Sequence, residues 1–267
     1  MEPRPLITLT TDFGYRDPFV AIMKGVILNI NPSVRILDIS HDVAPQNIAE
    51  AAFTLDVSYA YFPHCTIHVV VIDPAVGSER RPLLVVTDHH YFIGPDNGVF
   101  SRIYNSGGSC SVYHITSEHY FLSPRSTTFH GRDVFAPAAA WFSKGIEAEK
   151  FGDPINNYVT LLSPLPKISN NNSIEGEVIH IDRFGNAVTN IDLKIIKELL
   201  LDHAAKKLKV IVKGGEASKR KYYSEAEDKD LHFLINSFGY LELFVNGGTA
   251  SGNFGISPGE KVSILIA

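Results

Sequence analysis

Two short stretches concentrate side chains able to move a proton or steady a developing charge. In "VVVIDPAVGSERRP" a β-favouring run ends at Asp73, and Arg80 and Arg81 follow within eight residues. In "TTFHGRDVFAP" His130 stands beside Arg132 and Asp133, just ahead of an apolar run. A carboxylate can accept a proton, an imidazole can hold or relay one near neutral pH, and a guanidinium can stabilise negative charge. Asp12, after "ITLTT", and Asp38, in "VRILDIS", repeat the pattern of an aspartate at a strand-like run. At the carboxyl ends of strands in an open α/β sheet such groups line the ligand crevice. The alternative is a carboxylate that caps the next turn or helix, which suits Asp17, ahead of Pro18, better than it suits Asp73. A lone histidine is more often structural, and it is Arg132 and Asp133 beside His130, just before an apolar run, that favour a functional role.

What is missing narrows the chemistry. Gly14 and Gly77 mark turns beside the aspartates, but neither loop matches G-x-G-x-x-G or G-x-x-x-x-G-K-[ST], so a dinucleotide or triphosphate is not indicated. Acidic loops suit the hydroxyls of a ribose, or a cation. Eleven histidines are present without an H-E-x-x-H run, and the adjacent His89 and His90 would point to opposite sides of a strand; no metal and no cofactor are expected. A G-x-S-x-G nucleophile elbow is absent as well. Cys65 and Cys110 are isolated, as thiols of a reducing compartment are. A net charge of −5 argues against a nucleic-acid partner. No apolar run approaches the roughly 20 residues of a membrane span, and the N-terminus has no apolar leader core. A cytoplasmic protein without a membrane partner is expected.

These residues need a frame. "PLITLTTD", "VRILDIS", "CTIHVVVID", "PLLVVTD" and "HYFIGP" read as strands. "DPFVAIMKGVILNI", "NIAEAAFTLDVSYAYF" and "HGRDVFAPAAAWFSKG" read as helices, the last with Pro137 inside it. The alternation predicts an α/β fold: an N-terminal, largely parallel, Rossmann-like sheet domain over residues 1–162. Pro and Asn cluster over 163–173, which reads as a linker. From 174 to 267 short strands and glycine turns ("EGEVIHID", "GNAVTNI", "KLKVIVKGG", "HFLINS", "YLELFV", "KVSILIA") predict a smaller all-β, barrel-like domain, with one helix in "IDLKIIKELLLDH". In "IDRFGNAVTNI" Asn186 and Asn190 flank a turn that either only reverses the chain or presents an amide to a purine edge.

Taken together, "LTTDFGYRDPFVAIMKG", "VVVIDPAVGSERRPL", "GPDNGVFS", "TFHGRDVFAPAAA" and "IDRFGNAVTNI" resemble the S-adenosyl-L-methionine hydroxide adenosyltransferases, cousins of the adenosyl-fluoride and adenosyl-chloride synthases. The resemblance runs from about residue 6 to the C-terminus. It implies a small-molecule substrate, S-adenosyl-L-methionine, cleaved with water to adenosine and L-methionine. It also implies a homotrimer, with sites between the N-terminal domain of one subunit and the C-terminal domain of the next. By motif, Asp73, Arg80 and His130 match the water-activating set. Asp12 matches the ribose-diol carboxylate and Asp17 a carboxylate near the methionine ammonium. Asp182, Ser237 and Glu242 match positions near the methionine moiety, and Phe184 and Asn186 match the adenine-stacking and adenine-contacting positions. Tyr223 matches an aromatic near adenine, with Tyr222 an equal candidate. One departure bears on the nucleophile. Where the halide-using cousins carry a hydroxyl residue two after a phenylalanine, this chain has Gly131 with His130 beside it, which favours water over halide. A halide transferase of the same fold, or a non-catalytic sensor that binds S-adenosyl-L-methionine or adenosine, are the alternatives.

Overall fold

The structure is a computed structural model that describes residues 4–162, 164–169, 173–201 and 208–266. The described chain divides after Leu161 into two compact units.

The N-terminal unit contains, in order, β1 (Leu6–Thr11), α1 (Phe19–Ile30), β2 (Arg35–Ser40), α2 (Ile48–Asp56), β3 (Ile67–Val71), β4 (Pro82–Thr87), β5 (Tyr91–Pro95), α3 (Ser101–Tyr104), β6 (Cys110–His114), α4 (Ala136–Phe142) and β7 (Pro154–Ile155). The strands form one sheet in the order β2-β1-β3-β5-β4-β6-β7. Side chains alternate between its two faces with the period of two that extended backbone imposes. Ile67, Val69, Val71, Leu84 and Ile93 join a core with Met23 and Ile27 of α1 and the alanines of α4. Val70, Ile72, Leu83, Val85 and Phe92 join a second core with Ala51 and Leu55 of α2 and Ile103 of α3. Burial on both faces explains why these strands read as unbroken apolar runs.

The β2-β1-β3-β5 half is parallel, as expected. The other half is antiparallel, which makes the sheet mixed. The reason is connection length: only Asp88, His89 and His90 separate β4 from β5, whereas parallel neighbours need a crossover of a dozen or more residues. Near that hairpin lie four histidines. His64 and His68 stand four apart, a spacing that sequence reasoning missed. His68 is buried on β3, accepts or donates at 2.7 Å with Thr8, and burial pushes it down to about 3. Among the described residues no group of three or more His, Cys, Asp or Glu is arranged to hold a metal, and no helix is long and apolar enough to cross a membrane.

The C-terminal unit holds β8 (Lys167–Ser169), β9 (Ser173–Ile181), β10 (Ala187–Asp192), α5 (Leu193–Leu201), β11 (Leu208–Val212), β12 (Gly215–Lys219), β13 (His232–Ile235), β14 (Tyr240–Phe244), α6 (Ala250–Phe254) and β15 (Lys261–Ile266). Strands β10-β14-β13-β12-β11-β15-β9 run side by side, and β9 pairs back to β10, closing a seven-stranded barrel-like sheet with β8 appended to β9. Closure removes the exposed edges an open sheet would leave. Within the segment read as a linker, β8 and the first residue of β9 are strands; Ser163 and residues 170–172 lie outside the described residues. So do Asp202 and His203, the last two residues of the expected C-terminal helix. Its start is fixed by Asp192, whose Oδ1 accepts the Ile195 N–H at 2.9 Å.

Candidate active site

The loop after β3 brings Asp73 and Arg80 together. The Asn97 amide donates to the Ile72 carbonyl at 2.8 Å and pins the chain just ahead of Asp73. The loop then tightens: Val76 N–H donates to the Asp73 carbonyl, and Ser78 closes the next turn onto Ala75. At Gly77 the backbone adopts φ +80°, and a Cβ there would lie 2.2 Å from the Thr127 carbonyl oxygen. Only glycine satisfies both the conformation and the close approach. The turn delivers Arg80 back onto Asp73: Nε donates to Oδ1 at 2.9 Å and to Oδ2 at 3.0 Å, and Nη2 also donates to Oδ2. The Arg80 and Asp73 side chains are 7% and 5% exposed, so the pair is largely buried, each reaching the surface of a cavity at one edge.

His130 arrives from the far side of Thr127. Arg80 Nη2 lies 2.7 Å from His130 Nδ1. A guanidinium can only donate, so Nδ1 accepts, and the neutral imidazole carries its proton on Nε2. Burial, and then the Arg80 charge, push His130 below the ordinary histidine value of 6.5. Arg80 thus bridges Asp73 and His130, with its guanidinium over the Phe135 ring at 5.2 Å.

The helix predicted over "HGRDVFAPAAAWFSKG" has two parts. Gly131–Phe135 form a π-helical turn, and α4 follows. Pro137 has no N–H for the Asp133 carbonyl four residues back, and that carbonyl instead accepts the Leu122 N–H at 2.9 Å. Arg132 and Asp133, neighbours of His130 in the chain, serve the loop. Arg132 Nε donates to Asp133 Oδ1 at 2.5 Å, and buried Asp133 accepts the Ser126 N–H at 2.7 Å.

Asp73 and His130 line a cleft of about 410 Å³ together with Asp12. Asp12 Oδ2 accepts the Gln46 N–H at 2.8 Å, which leaves Oδ1 for a ligand. The cleft is also lined by aromatic side chains. Phe13, Phe19 and Phe129 pack edge to face or tilted, with centroids 5.2–5.9 Å apart. Sequence reasoning missed Phe13 and Phe19; their positions beside Asp12 and Asp17 were the available signal. Gly131 lines the cleft too, and a Cβ there would come within 3.1 Å of Phe129 and 3.2 Å of the Met23 sulfur. Asp17 is exposed and lies outside the cleft lining, and it does not cap α1. Asp38 is bound to Lys24 at 2.6 Å and to the Tyr15 hydroxyl at 3.0 Å, away from the cleft.

The C-terminal unit gathers its own polar set. Asp182 Oδ1 accepts the Phe184 and Asn186 N–H groups at 2.9 and 2.8 Å, and Oδ2 accepts the Asn186 side-chain amide at 3.2 Å. Asp182 therefore shapes the turn that leaves Phe184 76% exposed and Asn186 buried. Glu242, buried on β14, accepts the Tyr223 hydroxyl at 2.8 Å and the Asn236 amide at 3.0 Å. Burial, then Glu242, push the Tyr223 phenol above its ordinary range. Tyr222 is exposed with no such tether among the described residues, and Ser237 is exposed in the turn that Asn236 organises. Asn236 was not anticipated, because its contact with Glu242 depends on the pairing of β13 with β14.

Comparison with known proteins adds to this geometry. Residues 7–152 match the SAM hydroxide adenosyltransferase N-terminal domain and residues 176–263 the C-terminal domain of the same family. A protein of Methanocaldococcus jannaschii named "(R)-S-adenosyl-L-methionine hydrolase" is 38% identical, over 97% of this chain and 95% of its own. A Thermus thermophilus protein of the same name is 32% identical, over 98% and 100%. The crystal structure of an uncharacterized conserved protein from Thermotoga maritima superposes with a TM-score of 0.89 at 34% identity, covering 97% and 99% of the two chains. With both domains matched in order and full-length relatives above 30% identity, the chain belongs to the SAM hydroxide adenosyltransferase family.

Proposed function

We propose that this protein hydrolyses S-adenosyl-L-methionine to adenosine and L-methionine by in-line attack of an activated water at C5′. The observation that carries the reading is the Arg80 bridge between Asp73 and His130 at the edge of an aromatic-walled cleft. The leaving group departs as a neutral thioether and needs no acid. The nucleophile is the difficulty, since bulk water has a pKa of about 15.7. His130 holds the water through its Nε2–H. A relay through His130 would need an unprotonated Nε2, and the Arg80 contact at Nδ1 leaves that nitrogen protonated. Asp73 is then the base. It takes the proton as the oxygen–C5′ bond forms and the C5′–sulfur bond breaks, with the bonding pair leaving on sulfur, and it returns the proton to solvent. Arg80 orients the carboxylate, and its charge, acting from behind Asp73 and His130, favours hydroxide character in the attacking oxygen.

Phe13, Phe19 and Phe129 offer ring faces to the sulfonium cation and keep the site dry, which favours a step that cancels charge. The remaining roles are those the family resemblance supports. Asp12 receives the ribose diol. Asp17 and the set Asp182, Phe184, Asn186, Tyr223, Ser237 and Glu242 take the adenine and methionine ends, with the N-terminal set of one subunit meeting the C-terminal set of the next in a homotrimer. Sedimentation is expected to give three times the 29.5 kDa subunit; a monomer at micromolar concentration would defeat the shared-site arrangement.

Two relatives carry names specifying the (R) epimer at sulfur, and we extend that preference to this chain. The chemistry at C5′ is the same for both epimers, so discrimination has to come from the walls that meet the methyl group. Incubation of each epimer in ¹⁸O-water is expected to give adenosine labelled at its 5′-oxygen, faster from the (R) form. Added fluoride or chloride is expected to leave the product unchanged, in keeping with Gly131. Unlabelled adenosine, a halogenated nucleoside or bound substrate without product would each replace this reading with another.

A further inference from the structure

His130 has a second side. A cavity of about 370 Å³ lies against it, lined among others by Arg80, Arg81, His114, Arg125, Ser126 and Thr127. Of these two spaces, Asp73 lines the first, Arg80 the second, and His130 both. The candidate catalytic trio is therefore a partition between two spaces.

Each guanidinium in the second space is anchored by a carboxylate: Arg80 by Asp73, Arg81 by Asp96 with Nε at 2.9 Å, and Arg125 by Glu118 at 3.3 Å. The anchors leave donors unspent. Among the described residues, Nε and Nη2 make all of the Arg80 hydrogen bonds, so both N–H groups of Nη1 are open. Arg125 meets Glu118 through Nη1. Arg80 keeps two diverging N–H donors on Nη1, each able to meet one oxyanion oxygen, and Arg125, tied to Glu118 only through Nη1, keeps its Nε and Nη2 edge, whose parallel N–H groups match two oxygens of an oxyanion. The lining carries one carboxylate, Glu79, against three guanidiniums and two imidazoles.

We propose that this cavity is a binding site for a small inorganic oxyanion of the phosphate class, seated between Arg80 Nη1 and Arg125. Its occupancy draws on the guanidinium that also holds Asp73 and His130, so the anion acts on turnover and leaves substrate binding untouched. Binding itself does not depend on the proposed hydrolysis.

Calorimetry on the full chain without substrate tests the site, with inorganic phosphate as the probe and chloride holding ionic strength constant. Saturable binding is expected, weakened about tenfold by Arg125→Gln, which removes one fork while leaving the trio in place. In the presence of S-adenosyl-L-methionine, phosphate is expected to lower kcat with KM unchanged. No saturable heat, equal affinity in Arg125→Gln, or competition with substrate would each overturn the proposal. If the chain does not hydrolyse S-adenosyl-L-methionine, the calorimetric comparison still decides it.

Discussion

Replacing Asp73 by asparagine is expected to slow adenosine release by ~10²–10⁴-fold while substrate affinity stays within a few-fold, the range for losing a positioned general base. The amide keeps the shape of the carboxylate and an oxygen for Arg80, but it cannot accept the proton of water. Alanine is a poorer probe. It would leave the 7%-exposed Arg80 side chain without its counter-charge, which costs about 3–5 kcal/mol and confounds activity with folding. Arg80→Lys is expected to fail nearly as badly, because an ammonium cannot span both Asp73 and His130 in one plane. The pH dependence follows from the tautomer. A protonated His130 cannot accept at Nδ1 and would set two cations 2.7 Å apart. Because burial and the Arg80 charge lower its pKa below the ordinary histidine value, His130 is mostly neutral at neutral pH, and the rate is expected to fall as pH drops through the lowered value. Chromatographic rates and calorimetric affinities over pH 5 to 9 check both statements. Wild-type kcat in Asp73→Asn would move the base elsewhere.

The sequence made part of this site readable for a physical reason. Asp12 and Asp73 each follow a β-favouring run buried on both faces, and such runs end at the carboxyl edge of a sheet where ligands collect. Gly77 was readable as a turn, but the closeness of the Thr127 carbonyl was not, because that contact joins segments fifty residues apart. The same limit hid Asn97 and Asn236. Each acts through one hydrogen bond to a partner that only the folded register supplies. Pro137 flagged an interrupted helix, yet the π turn depends on Leu122 taking up the freed carbonyl, which no local pattern announces. The antiparallel half of the sheet is a different kind of omission, since the three-residue β4–β5 connection already required it. Of Tyr222 and Tyr223, Tyr223 is the one tied to Glu242 on β14, a contact made in the folded domain and not announced by "KYYSEAEDKD".

The contact at Gly77 also allows the trio to be divided experimentally. Asp73 and Arg80 stand on one loop, and His130 on the segment that follows Thr127. A methyl group at 77 would meet the Thr127 carbonyl at 2.2 Å, and a backbone oxygen cannot rotate away. Gly77→Ala must therefore part the two segments. Arg80 keeps Asp73, its loop mate, and loses His130. A displacement of that size at reacting groups is expected to cost on the order of 10²-fold in kcat. Gly14→Ala is the matched control. Gly14 also has a positive φ, +63°, but nothing lies within 4 Å of its added Cβ, so it carries the conformational cost of roughly 1–2 kcal/mol without the collision. Thermal stability should fall in both variants and activity collapse in one. Once freed of the Arg80 charge, the His130 imidazole is expected to titrate closer to 6.5 in Gly77→Ala, a shift that imidazole proton resonances report directly. If the His130 resonance moves in Gly77→Ala while kcat stays at that of Gly14→Ala, the Arg80–His130 contact does not govern turnover, and catalysis would rest on Asp73 and Arg80 alone.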